Sequence, residues 1–125
     1  MPYKILVVDD NPNFCQLIAM MLMKTNYEVR TASDVKAAWQ RLEEETPDLI
    51  LCDLMMPEVS GFQFIGDVRQ HPSLGQVPII AVTAIIKQDW FSRALRLGAI
   101  KVLRKPFSRR SLLIDLEETL AKTKA

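Results

Sequence analysis

Short runs of apolar residues alternate along this chain with longer stretches whose apolar positions recur at helical spacing. Ile5-Leu6-Val7-Val8, Leu49-Ile50-Leu51-Cys52 and Pro78-Ile79-Ile80-Ala81-Val82 are continuously apolar, as strands buried on both faces are. Glu28-Val29-Arg30-Thr31-Ala32 alternates instead, and the run from Ile100 to Leu103 carries Lys101 and is followed by Arg104. Those two read as sheet edges. Asn11 and Pro12 open a helix with Phe14, Leu17, Ile18, Met21 and Leu22 as its inward stripe. Ser33 or Asp34 caps a second, with Val35, Ala38, Trp39 and Leu42 on one face and Pro47 stopping it. Phe62, Ile65 and Val68 mark a third. A fourth runs from about Gln88 to Leu97 and ends at Gly98, a residue suited to a left-handed cap. Ser108 caps a fifth, in which Leu112, Leu116 and Leu120 face inward. His71 falls in the loop before the fourth strand and reads as exposed, and the tail Lys122 to Ala125 is expected to fray.

Strand and helix thus alternate five times, which implies a mainly parallel sheet with helices on both faces. The expected class is α/β: one doubly wound (βα)5 flavodoxin-like domain over residues 1–125. Three runs look central and two look like edges, which suits the order 2-1-3-4-5 known for such sheets and taken over from them. Composition changes little. Of 125 residues 49% are hydrophobic and 25% charged, as in ordinary soluble domains. A net charge of +1 gives no reason to expect nucleic-acid or membrane binding. The longest apolar run, Leu17 to Met23, is too short to cross a bilayer, and no signal peptide is visible, so a cytoplasmic location is expected. Cys15 and Cys52 match no metal or redox spacing and read as small core residues.

Chemistry enters at the strand ends. In a parallel sheet all strands end on one rim, where ligands of these folds bind. Asp9-Asp10, Asp53, Thr83 and Lys105 each directly follow an apolar run, so they gather there although they are scattered in sequence. Pro57 and Gly61 mark the loop beyond Asp53. Two carboxylates about 5 Å apart repel by about 3 kcal/mol at an effective dielectric near ~20. One lysine cannot neutralise three of them. A hard divalent ion with oxygen ligands can, and Mg²⁺ suits one or two carboxylates, a carbonyl and waters beside a phosphate. Thr83 and Lys105 donate to phosphoryl oxygens, and a carboxylate can attack phosphorus to form an acyl phosphate. Asp53, ending the central run, is the candidate nucleophile; Asp10, with Asp9 helping, is the candidate metal ligand.

With Asp9-Asp10, Asp53-Leu54-Met55-Met56-Pro57, Gly61, Thr83-Ala84, Gly98-Ala99 and Lys105-Pro106-Phe107 in this order, the whole chain resembles the response-regulator receiver domain of two-component systems, the CheY-like superfamily. The resemblance implies phosphoryl acceptance on Asp53 from a sensor histidine kinase or a histidine phosphotransfer protein. It implies Mg²⁺ held by Asp10, Asp53 and the backbone carbonyl of Met55, with Asp9 acting mainly through water. It also implies phosphoryl contacts from Thr83 and Lys105, a cis Lys105-Pro106 peptide, and a signalling domain rather than an enzyme acting on other substrates. The surface of Ile86, Phe91, Leu95 and Val102 maps to the face that meets output proteins or a second copy. Of the stripes Phe91/Leu95 and Trp90/Ala94, one must be core.

Two departures matter. Val102 stands where many relatives carry Tyr or Phe, so switching is expected to rely on the loop after Thr83 and the helix behind it. Met55 and Ile85 are apolar where relatives use polar side chains to aid water attack, so a long-lived phosphoryl group is expected. An aspartyl-nucleophile phosphohydrolase and a scaffold that is never phosphorylated are the alternatives. The first usually has a second acid where Met55 stands; the second has no need of the full set of Asp9, Asp10, Asp53, Thr83 and Lys105. The chain reads as a single-domain regulator or a fragment of a longer protein.

Overall fold

The computed structural model describes residues 2–56, 60–85 and 87–124, with the side chains of residues 123 and 124 excepted. Pro57 and Ile86 therefore lie outside the described residues. Five strands, β1 (Tyr3–Val8), β2 (Tyr27–Ala32), β3 (Leu49–Asp53), β4 (Ile79–Thr83) and β5 (Lys101–Arg104), form one sheet. The helices are α1 (Pro12–Met21), α2 (Val35–Glu44), α3 (Gly61–Gln70), α4 (Gln88–Leu97) and α5 (Arg109–Lys124). All pairings are parallel, as the alternation led us to expect, and the order is β2-β1-β3-β4-β5, the one taken over from known doubly wound sheets. No helix among the described residues is long and apolar enough to cross a membrane.

The side-chain period of two divides the apolar strands between two layers. Ile5, Val7, Leu49, Leu51 and Ile80 pack with Cys15 and Ile18 of α1, Leu22 just after it, and Leu112, Leu116 and Leu120 of α5. Leu6, Val8, Ile50, Cys52, Ile79 and Ala81 face the other way, toward residues of α2, α3 and α4. Starts are set by local chemistry: Asn11 accepts from the N–H groups of Asn13 and Phe14, Asp34 from Ala37, Ser60 from Gln63, and Ser108 from Ser111. Gly98, at φ 127°, closes α4 in a conformation that disfavours any side chain.

Several expectations need correction. Leu17 is 44% exposed; Cys15 takes an inward place on α1 instead. The last strand begins at Lys101, leaving Ile100 at the surface, and β4 begins after Pro78, which has no N–H for the ladder. His71 is half-buried, its ring 5.9 Å from that of Trp39 and its Nδ1 accepting from the N–H of Ser73. It caps α3 against the neighbouring helix, a placement no local pattern announces. The tail expected to fray continues α5 to Lys124.

Candidate functional site

Each β strand delivers its last residues to one rim. Asp9 and Asp10 follow β1, Asp53 ends β3, Thr83 ends β4, and Lys105 follows β5. Ligand oxygens of Asp9, Asp10 and Asp53 lie within 4.8 Å of one another. Lys105 Nζ stands 2.6 Å from Asp9 Oδ2 and 3.9 Å from Asp53 Oδ2. The five side chains singled out from scattered positions thus belong to neighbouring strand ends, and four of them form one charged cluster.

They are not equivalent. Asp9 is 1% exposed and fully engaged: Oδ1 accepts from the Asn11 N–H at 2.9 Å and Oδ2 from Lys105. Asp10 is exposed, with its carboxylate open to solvent at the rim. Asp53 is 6% exposed, and Oδ1 accepts a long 3.3 Å bond from the Met55 N–H. Burial, then the charge of Asp9, push the Asp53 carboxyl up to about 6, with Lys105 and the Met55 N–H pulling the other way. Its ionised form is only partly compensated, a condition that favours binding a cation. The donor set consists of hard oxygens; neither Cys nor His joins it.

Thr83 is buried, and its Oγ1 accepts from the Ile85 N–H at 3.1 Å, so the hydroxyl is tied to the loop leading into α4. Gly61 is required by close approach: a Cβ there would lie 2.0 Å from the carbonyl oxygen of Asp53. The start of α3 is therefore pressed against the backbone of the candidate nucleophile. The Lys105-Pro106 peptide is cis, as expected. Met55 is 51% exposed and Ile85 half-buried.

Phe14 belongs to the site, although its sequence position suggested only core. Its ring lies 4.0 Å from Lys105 Nζ and meets Phe107 edge-on at 5.9 Å, which fixes where the ammonium sits. Its placement four residues after Asp10, at the start of a helix leaving the rim, was the available signal. On α4, Ala94 is buried and Trp90 packs edge-on against Phe62, so that stripe is core. Phe91 is half-buried and Leu95 exposed on the outward stripe, while Val102 is half-buried against the α2–α4 layer.

A profile of the response regulator receiver domain matches residues 5–117. The chain belongs to that family. This receiver is 41% identical over 102 residues to an uncharacterized 14.6 kDa protein of Leptolyngbya boryana, covering 82% of this chain and 78% of the relative. It is 39% identical over 111 residues to the alkaline phosphatase synthesis transcriptional regulatory protein PhoP of Bacillus subtilis, covering 87% of the receiver but 45% of PhoP. Against that regulator the receiver spans less than half the length. Among solved structures, the chemotaxis response regulator CheY4 of Vibrio cholerae superposes with a TM-score of 0.87 at 30% identity, covering 94% of the receiver and 98% of CheY4. The receiver is thus a module of two-component response regulators, a signalling domain by family.

Proposed function

We propose that residues 1–125 act as one unit that accepts a phosphoryl group on Asp53 from a sensor histidine kinase or a histidine phosphotransfer protein, with Mg²⁺ required. The observation that carries this reading is the gathering of three carboxylates within 4.8 Å with Lys105 as their basic partner. Asp10, Asp53 and the backbone carbonyl of Met55 would hold Mg²⁺, and Asp9 would act mainly through water. Once bound, the ion supplies positive charge that lets the carboxylates approach a phosphoryl group.

The chain's own residues do the rest. An oxygen lone pair of Asp53 forms the new O–P bond as the P–N bond to the donor imidazole breaks. The bonding pair leaves on that nitrogen, which takes a proton from solvent. Lys105, already 3.9 Å from Asp53, donates to a phosphoryl oxygen and offsets its charge. Thr83 redirects its hydroxyl, which donates to the Ile85 carbonyl at 3.5 Å, to a phosphoryl oxygen, drawing the loop into α4 toward the rim. Val102 offers no ring to follow that motion, so the α4 end of the domain carries the signal. The Phe91, Leu95 and Val102 face, with Ile86 beside it in sequence, then meets an output protein or a second copy.

The test is a mass measurement after incubation with acetyl phosphate and Mg²⁺. A gain of about 80 Da is expected, lost with a chelator and in Asp53→Asn. An unchanged mass, or the same gain in Asp53→Asn, would refute the assignment.

A further inference from the structure

Between α3 and α4 lies an open cleft of about 810 Å³ that no part of the proposed phosphoryl chemistry uses. One wall is Gln63, Asp67 and Gln70, spaced four and three residues apart and therefore on one face of α3. The other is Arg93 and Arg96, one turn apart on α4. Arg93 is preorganised, its guanidinium lying 4.2 Å from the centre of the Phe62 ring. Among the described residues neither arginine has a carboxylate at ion-pairing distance. They belong to a wider asymmetry that the net charge hides: residues 87–110 carry eight of the sixteen lysines and arginines and one acid, Asp89.

The two walls are tied at both ends, by Phe62 packed edge-on against Trp90 near the rim and by Arg69 away from it. Arg69 of α3 donates to the Gly98 carbonyl at the end of α4 (2.6 Å) and to the carbonyls of Gly75 and Val77. At the other end, α3 starts against the Asp53 carbonyl and α4 starts five residues after Thr83. Both walls of the cleft thus begin directly after the strand ends that carry Asp53 and Thr83.

We propose that this cleft binds a short acidic peptide segment of a partner protein, and that its occupancy is coupled to the state of Asp53. Two guanidinium forks one turn apart match carboxylates spaced along a chain. Gln63 and Gln70 each offer a donor and an acceptor, which suits peptide backbone. The open trough would leave a small ligand largely solvated. About five extended residues span the ~15 Å of a ten-residue helix. Binding itself is independent of the phosphoacceptor reading; the coupling rests on it, and by linkage must run both ways.

The test uses the full chain and a fluorescein-labelled heptapeptide alternating glutamate and leucine. The lysine–leucine peptide, tripolyphosphate and phosphatidylserine vesicles are separate arms. Saturable binding of the acidic peptide is expected, with amide shifts concentrated in α3 and α4. Arg93→Glu/Arg96→Glu, at two exposed positions, should weaken it by at least about tenfold and confer binding of the lysine peptide. No saturation below about 1 mM overturns the proposal. So does undiminished binding in the double variant, or tighter binding of tripolyphosphate or vesicles. Beryllium fluoride with Mg²⁺ should change peptide affinity at least about fivefold. No change in a protein that does gain mass with acetyl phosphate refutes the coupling alone; failure to gain mass refutes the phosphoacceptor reading and leaves peptide binding standing.

Discussion

Lys4, at the start of β1, pairs with Glu45, and its backbone exchanges hydrogen bonds of 2.7 Å in both directions with Asp48. Asp9, at the other end of the same strand, is buried beside the buried carboxylate of Asp53, the exposed one of Asp10 and one lysine. The first cluster is partly exposed; solvent screens it, and nothing in it calls for a ligand. The second is buried except at Asp10 and has one lysine for three carboxylates, and its Asp53 carboxyl is pushed up to about 6. The difference separates a part-exposed ion pair from a largely buried acidic cluster with one lysine for three carboxylates. Charge imbalance under burial, not the mere presence of acids, marks the site.

The comparison is most severely tested at Lys105. Lys105→Met should slow phosphorylation from acetyl phosphate by about a hundredfold. It should also lower the unfolding midpoint, because Asp9 loses its buried partner. A variant phosphorylated at the parental rate would reduce Lys105 to a structural counter-ion.

Next comes the cost of ionising Asp53. Its folded value is raised from 3.8 to about 6, so this group's destabilisation is absent below 3.8, grows through that window and is complete above it. Without Mg²⁺, Asp53→Asn should therefore stabilise the protein at neutral pH by about 2 kcal/mol, with the gain fading toward pH ~4. Urea unfolding at pH 7 and pH 4 measures it. Equal stabilities at both values would mean the rim is not strained by charge.

A smaller effect is expected beside the phosphoryl group. Met55→Asn/Ile85→Glu should speed autodephosphorylation by about tenfold, since polar groups there can orient water. An unchanged rate would show that the two apolar side chains do not shield phosphorus. Smallest of all, Glu45→Ala at the far end should leave the midpoint of thermal unfolding unresolved from the parent.

Much of this was legible because it depends on local pattern. Continuous apolar runs fixed β1, β3 and β4, and residues directly after a parallel strand must share its rim, so Asp9, Asp53, Thr83 and Lys105 could be grouped without coordinates. What escaped depends on how elements meet. Leu17 and Cys15 both fit helical spacing on α1, and only the angle at which the helix lies on the sheet exposes one and buries the other. His71 has no motif, yet the neighbouring Trp39 gives it a partner. Arg69 belongs to no motif, yet it donates to three carbonyls from two other segments. The basic run from residue 87 to 110 was visible in sequence but vanished into a net charge of +1.

The central claim is that the rim is incomplete without a divalent cation. Thermal unfolding of the parent and of Asp53→Asn, each titrated with Mg²⁺ at pH 7, tests it most directly. The account predicts a midpoint that rises and saturates with Mg²⁺ in the parent and barely moves in the variant. A parent indifferent to Mg²⁺, or a variant that gains as much, would contradict it.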